Sequence, residues 1–215
     1  MSSETTLFLA VRLPPPAIAC AYHLLTELAE LGPVVRPVRA DGLHLTLQFL
    51  GRVRSEQEGL VGEAARRTAG KHVPFNLGLT GIGNFSAASR PQVIWLGTSA
   101  GGGELAALAA GLRSELEAAG LPFDRRRFRA HCTLARVSGG PGAAAAAGLR
   151  QMAARTEPGP ASSFLVRDFQ LLESVAEPGG PNRYPTRATF VLATSAGRPS
   201  SPLERAPVEG MDSGE

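Results

Sequence analysis

The sequence predicts an α+β fold built from two similar halves, and three observations lead to it. The segment His44-Leu45-Thr46-Leu47 recurs as His131-Cys132-Thr133-Leu134, 87 residues further along. Sliding the chain against itself by the same 87 residues sets Thr6–Arg12 on Val93–Ser99 and the helical pattern of Ala17–Leu31 on Glu104–Ala118. It also sets the helix beginning at Ser55 on Gly142–Arg155, and Leu77–Ala88 on Phe164–Val175. Finally, amphipathic helical stretches alternate with short apolar runs, as a mixed fold requires. A single bilobal domain over residues 1–195 is expected. Residues 196–215 are expected to be a disordered polar tail, too poor in apolar side chains to fold.

The elements follow in order. Leu7–Leu13 is an apolar run stopped by Pro14-Pro15-Pro16, a buried strand. From Ala17 to Leu31 the apolar residues recur at helical spacing, and Gly32-Pro33 closes the helix. His23 falls on its polar face and reads as a solvated surface histidine. Val34–Val38 is a short extended piece, Ala40-Asp41-Gly42 a turn, and Leu43–Leu50 a strand ended by Gly51. Ser55 followed by Glu58 fits a capping box opening a helix to about Ala69. His72, in the connector after it, reads as a solvated loop residue. Phe75–Phe85 is a strand whose glycines at 78, 81 and 83 imply bends or close backbone approach. Ser86–Pro91 reads as a loop, and Gln92–Gly97, with the only tryptophan, as a central strand. Gly101-Gly102-Gly103 lacks the Gly-Lys-Ser/Thr ending of a phosphate loop, so it reads as a flexible lead-in to the helix Glu104–Ala119. The basic run Asp124–Arg129 enters a strand continuing to Arg136, and Gly139–Gly142 breaks the chain. Ala143–Ala154 is a strong helix former, and Phe164–Val175 and Tyr184–Thr194 read as two long strands.

Composition narrows the function classes. The net charge is +3, and the basic residues are nearly all arginine, Lys71 being the only lysine. That balance permits an anionic partner without demanding one. No run approaches the ~18 apolar residues of a membrane span, and the N-terminus lacks a basic-then-apolar signal segment. Cys20 and Cys132 read as buried thiols, not a disulfide framework. A cytoplasmic chain with no membrane partner is expected, by default a monomer.

The paired motif carries the chemistry. In a strand, side chains alternate faces, so His44 and Thr46 share one face while Leu45 and Leu47 take the other. The same alternation joins His131 to Thr133. Two histidines titrating near pH 6.5 can hold one neutral and one protonated member near neutrality. One imidazole then deprotonates an attacking water and the other protonates a leaving sugar oxygen, each role contributing about 10²–10⁴-fold in rate. Threonine hydroxyls hold the non-bridging phosphate oxygens, and arginine neutralises their charge. Arg129, two before His131 and on its face by alternation, and Arg136, five after it, are the candidate arginines. No metal or other cofactor is expected: neither copy is HxH, HxE or HxD, and threonine is a poor zinc ligand. The residues alone do not decide which histidine is the acid.

At these positions the chain resembles the 2H phosphoesterase superfamily, and within it the RNA 2′,3′-cyclic phosphodiesterases long called 2′-5′ RNA ligases. The resemblance is carried by Phe8–Pro14, Val38–Gly51, Gln92–Gly97, Arg126–Arg136 and Arg183-Tyr184. It implies two antiparallel sheets with outer helices, related by a pseudo-two-fold, and a central cleft holding both motifs. It also implies metal-free hydrolysis of an RNA or nucleotide 2′,3′-cyclic phosphate to a 2′-phosphomonoester. His44 would be the proton donor and His131 the proton acceptor, with Thr46, Thr133, Arg129 and Arg136 on the phosphate. One departure is Ala130, where relatives often have proline. The alternatives left open are 2′-5′ RNA ligation, a cyclic-nucleotide phosphodiesterase, and an RNA-end-binding module on the same fold.

Overall fold

The computed structural model describes residues 3–87, 90–138, 143–155 and 163–194. Strand β1 (Glu4–Arg12) leads into helix α1 (Pro15–Glu30), then β2 (Val35–Pro37), a 3-10 turn at Ala40–Gly42, β3 (His44–Arg54) and α2 (Ser55–Ala69). After these come β4 (Phe75–Ala87), β5 (Arg90–Thr98), α3 (Gly102–Ala118), β6 (Cys132–Val137) and α4 (Ala143–Arg155). The last three are β7 (Ser163–Val166), β8 (Asp168–Glu173) and β9 (Thr186–Val191). α1 and α3 begin at Pro15 and Gly102, β3 and β6 at His44 and Cys132, α2 and α4 at Ser55 and Ala143.

The strands pair antiparallel in the order β7-β4-β5-β6-β3-β1-β8-β9, with β2 against the C-terminal end of β6. The two expected sheets are therefore halves of one nine-stranded sheet, joined where Leu45 of β3 pairs with Cys132 of β6. β1 lies between β3 and β8, while β5 lies between β6 and β4. Each half thus completes its sheet with a strand that follows the other half's helix, which ties the halves together at their motif strands.

Burial follows the apolar pattern. Leu7, Leu9, Val11 and Leu13 of the β1 segment share a core with Leu45, Leu47, Cys132 and Leu134, covered by Leu24 and Leu28 of α1 and Leu105 and Leu112 of α3. Each such side chain contributes about 1.5–3 kcal/mol relative to exposure. The opposite face of β1 is not solvent either: Phe8 and Ala10 pack with Leu172 and Tyr184. Two prolines occupy the first turn of α1, where the missing N–H groups have no intrahelical partner to lose.

Several local expectations need correction. Gly51 does not end β3; at φ 73° it sits in an irregular stretch of the β1–β3 ladder, and the strand runs on to Arg54. The N-cap of α2 is Arg54, one residue earlier than expected. Its backbone N–H donates to Gln57 Oε1 at 3.3 Å, while the Ser55 hydroxyl donates to the Ser3 carbonyl. Ser86–Pro91 is not an open loop, because Ser86 pairs with Pro91 and Ala87 with Arg90. Phe164–Val175 is two strands split at Arg167, β7 pairing with β4 and β8 with β1. Tyr184 precedes its strand, which covers only Thr186–Val191. Gly102 and Gly103 belong to α3, and Gly101 caps it at φ 75°, where a Cβ would overlap the Asn76 carbonyl oxygen. Cys20 is half-buried rather than buried, and neither cysteine is in a disulfide. His23 is exposed, whereas His72 packs against α3, its Nε2 lying 3.0 Å from where a Cβ on Gly111 would stand. The expected break at 139–142 and the tail at 196–215 lie outside the described residues. Among those residues no helix is long and apolar enough to cross a membrane.

Candidate active site

The join between the halves is also where the motifs meet. With Leu45 opposite Cys132 in antiparallel register, His44 falls across from Thr133 and Thr46 across from His131. Side chains opposite one another share a face, so the four polar motif residues form one patch while the four apolar ones fill the core. The leucine after each threonine then breaks the alternation. β1 pairs Leu9 with Gln48 and Ala10 with Thr46, leaving Leu47 as an extra residue; β5 pairs Ile94 with Ala135 and Trp95 with Thr133, leaving Leu134 extra. Each bulge shifts the phase of its strand by one. Strict alternation would send Arg136 into the core; the bulge at Leu134 brings it out to the surface. The equivalent bulge at Leu47 brings out Phe49, which is 41% exposed.

Both imidazoles are oriented by the same device. His44 Nδ1 lies 2.6 Å from the Gly42 carbonyl oxygen, and His131 Nδ1 lies 2.7 Å from that of Arg129. A carbonyl oxygen only accepts, so each Nδ1 carries a proton and donates it, leaving each Nε2 free to take or give one. The surroundings differ. His44 is enclosed by Phe8, ring centroids 5.0 Å apart, and by Tyr184, edge-on at 4.9 Å. Burial, then the charges of Arg12, His131 and Arg136, hold its pKa down at about 4, against the opposing hydrogen bond to Gly42. His131 stands edge-on to Phe85 at 4.8 Å, with Trp95 behind. Its pKa is lowered too, by burial and by Arg129 and Arg136.

A cleft of about 670 Å³ opens over the patch, and Thr46, Arg129, His131 and Arg136 all line it. His44 and Thr133 do not; they are the facing pair on the other side of Leu45 and Cys132. Arg129 acts through two groups: its carbonyl holds His131, and its guanidinium lies 4.8 Å over the Phe85 ring. The segment carrying it has no regular secondary structure, and β6 starts only at Cys132. It is anchored instead at Asp124, whose N–H donates to the Phe49 carbonyl at 2.8 Å and whose carbonyl accepts from buried Gln48 at 2.7 Å. Gln48→Leu leaves that carbonyl unpaired, an expected loss of about 1–3 kcal/mol. At about 2–4 °C per kcal/mol this lowers Tm by several degrees. An unchanged thermal melt would show that Gln48 is not the anchor.

Three residues of the site carried no signal as such in the sequence. Arg12 is the register partner of His44 across β1 and β3. Its Nη1 donates to the Asp41 carbonyl at 2.8 Å and its Nη2 to that of Tyr184, so it ties together the turn and the aromatic that enclose His44. Phe8, Arg12 and Tyr184 lay in stretches noted for resemblance, but their partners are strands away. Trp95 lies flat across the ladder on Gly83, where a Cβ would overlap its ring. That is the close approach which the glycine spacing implied. No group of three or more His, Cys, Asp or Glu suited to a metal ion occurs among the described residues.

Comparison with known proteins agrees with this architecture. The family model of the 2′-5′ RNA ligase superfamily matches residues 14–177. An RNA 2′,3′-cyclic phosphodiesterase of Archaeoglobus fulgidus is 31% identical over 175 residues, 81% of this chain and 94% of the relative. One of Aeropyrum pernix is 30% identical over 159 residues, 74% of this chain and 88% of the relative. The crystal structure of Escherichia coli LigT with 3′-AMP superposes with a TM-score of 0.70 at 30% identity, covering 89% of this chain and 100% of that one. With paired HxT strands at the centre of such a sheet, the chain belongs to the 2′-5′ RNA ligase superfamily of 2H phosphoesterases.

Proposed function

We propose that this protein hydrolyses a terminal RNA 2′,3′-cyclic phosphate to a 2′-phosphomonoester by metal-free acid–base catalysis. The observation that carries the reading is the matched pair of imidazoles. Both are locked through Nδ1 to the carbonyl two residues earlier, and both leave Nε2 free, on adjacent strands. The relatives' names, RNA 2′,3′-cyclic phosphodiesterase, and the nucleotide in the LigT complex support the substrate class.

In this mechanism His131 Nε2 takes a proton from water as its oxygen bonds to phosphorus. His44 Nε2 gives a proton to O3′ as the P–O3′ bond breaks, leaving the phosphate on O2′. Thr46 and Thr133 donate to the non-bridging oxygens, and Arg129 and Arg136 neutralise the charge that builds there. Water at about 55 M favours hydrolysis over joining of RNA ends through the same site. One observation favours exchanged roles: with its pKa held at about 4, His44 rests neutral in the free protein, as a base does.

The test is an oligoribonucleotide ending in a 2′,3′-cyclic phosphate, incubated in EDTA, with the terminal phosphate identified. A 2′-phosphate is expected. A 3′-phosphate would reverse the leaving group, and no product across a wide pH range would sink the hydrolase.

A further inference from the structure

We propose that Arg36, set against Arg136 on the neighbouring strand, forms a second anion site beside the reacting phosphate. It takes the phosphodiester that precedes the cyclic end, so that the preferred substrate is single-stranded RNA of at least two nucleotides. The nature of the reacting end rests on the function proposed above; the second site rests on the following geometry.

Arg36 of β2 is the register partner of Arg136 of β6, and Arg136 is in turn the partner of Val93 of β5. The three therefore form a row across three strands. Opposite residues in an antiparallel pair share a face, with Cβ atoms about 4.5–5.5 Å apart. Arg136 and Val93 line the cleft, so the row carries the cleft face outward to Arg36 on a strand that pairs with β6 alone.

Two like charges directly opposite each other oppose folding, and nothing relieves them here. Several other arginines in the fold have a carboxylate: Arg39 has Asp41, Arg67 has Glu115, Arg125 has Glu117 and Arg187 has Glu58. Arg36 and Arg136 are both exposed and have no ion pair or side-chain hydrogen bond among the described residues. A guanidinium with no carboxylate of its own, rooted at the register position facing Arg136, suits the free oxygens of a phosphodiester. A nucleoside 2′,3′-cyclic monophosphate brings one phosphate, which the His/Thr patch and Arg136 take; the next phosphate along an RNA chain supplies the counter-charge for Arg36.

The probe is a 5′-labelled hexaribonucleotide ending in a 2′-phosphate, with binding read by fluorescence anisotropy, so that no turnover is needed. Arg36→Gln is expected to weaken binding about five- to tenfold at low salt. It should also flatten the slope of log K against log salt by about 0.7, the value for one phosphate contact on a single strand. Arg36→Lys should keep most of that slope. A neutral methylphosphonate at the last internal linkage should weaken binding to the wild type but add nothing to Arg36→Gln. The thermal midpoint of free Arg36→Gln should rise, because a like-charge pair has been removed; a structural arginine would lower it. An unchanged affinity and slope, additive effects of variant and methylphosphonate, or no binding of the RNA would each overturn the second site. Binding as expected without hydrolysis of the cyclic end would overturn only the phosphodiesterase reading.

Discussion

Replacing either His44 or His131 by alanine is expected to lower kcat on a cyclic-phosphate RNA end by about 10²–10⁴-fold, with a far smaller effect on KM. In the proposed mechanism each histidine serves one proton transfer in one step, so the double variant should fall well short of the product of the two losses. Both residues sit at partly open positions on a strand pair whose core face is apolar, so neither truncation empties the core. The two roles separate through the leaving group. With sulfur in place of the 3′ bridging oxygen, the thiolate leaves without a proton. The variant lacking the acid then regains rate, while the one lacking the base stays slow. Recovery in His44→Ala supports His44 as donor; recovery in His131→Ala reverses the assignment. Full activity in both variants would remove the histidine pair from the mechanism.

What could be read from the sequence divides along a physical line. The HLTL and HCTL copies were visible because His, Thr and their apolar neighbours keep a strict period of two, and that period fixes which side chains share a face. The helices were visible for the same kind of reason, their apolar residues recurring at 3.6. Pairing between strands far apart in the chain leaves no such mark. Nothing local in Phe164–Val175 says that its two pieces belong to opposite halves. Nothing in Arg12 says that it stands beside His44. The bulges were hidden as well. His44–Leu50 and His131–Val137 share one burial pattern, half-buried and buried in alternation until two buried residues fall together at Leu47-Gln48 and Leu134-Ala135. Only this phase slip brings Arg136 onto the cleft face, and a reading of residue spacing alone had no means to foresee it. The contribution of Arg129 was half-legible: its charge was apparent, its carbonyl bond to His131 was not.

The environment of His44 makes pH the second strong lever. The proposed mechanism needs one histidine protonated and one neutral, and both free-state pKa values lie below the ordinary 6.5, His44 at about 4. Below the lower value both imidazoles are charged and no base is present; above the higher one both are neutral and no acid remains. The kcat/KM profile of the wild type, which reports the free protein, is therefore a bell on the acid side of neutrality. It should fall about tenfold per pH unit once pH exceeds the higher pKa, and because that pKa lies below 6.5, activity at pH 8.5 is less than about a hundredth of the maximum. A bound cyclic phosphate brings negative charge beside both rings and raises both values, so the kcat profile should lie alkaline of the kcat/KM profile. Arg12 supplies part of the depression at His44. Arg12→Gln removes a cation that disfavours imidazolium, so the His44 pKa rises toward 6.5 and the acid limb moves up in pH. Arg12→Lys keeps the charge but loses the two-carbonyl tether to Asp41 and Tyr184. It should leave the acid limb near its wild-type position while lowering kcat, because His44 is then less firmly held. An acid limb near pH 6.5, or one indifferent to Arg12→Gln, would mean that His44 keeps an ordinary pKa. Its burial between Phe8 and Tyr184 would then have no electrostatic consequence for the reaction.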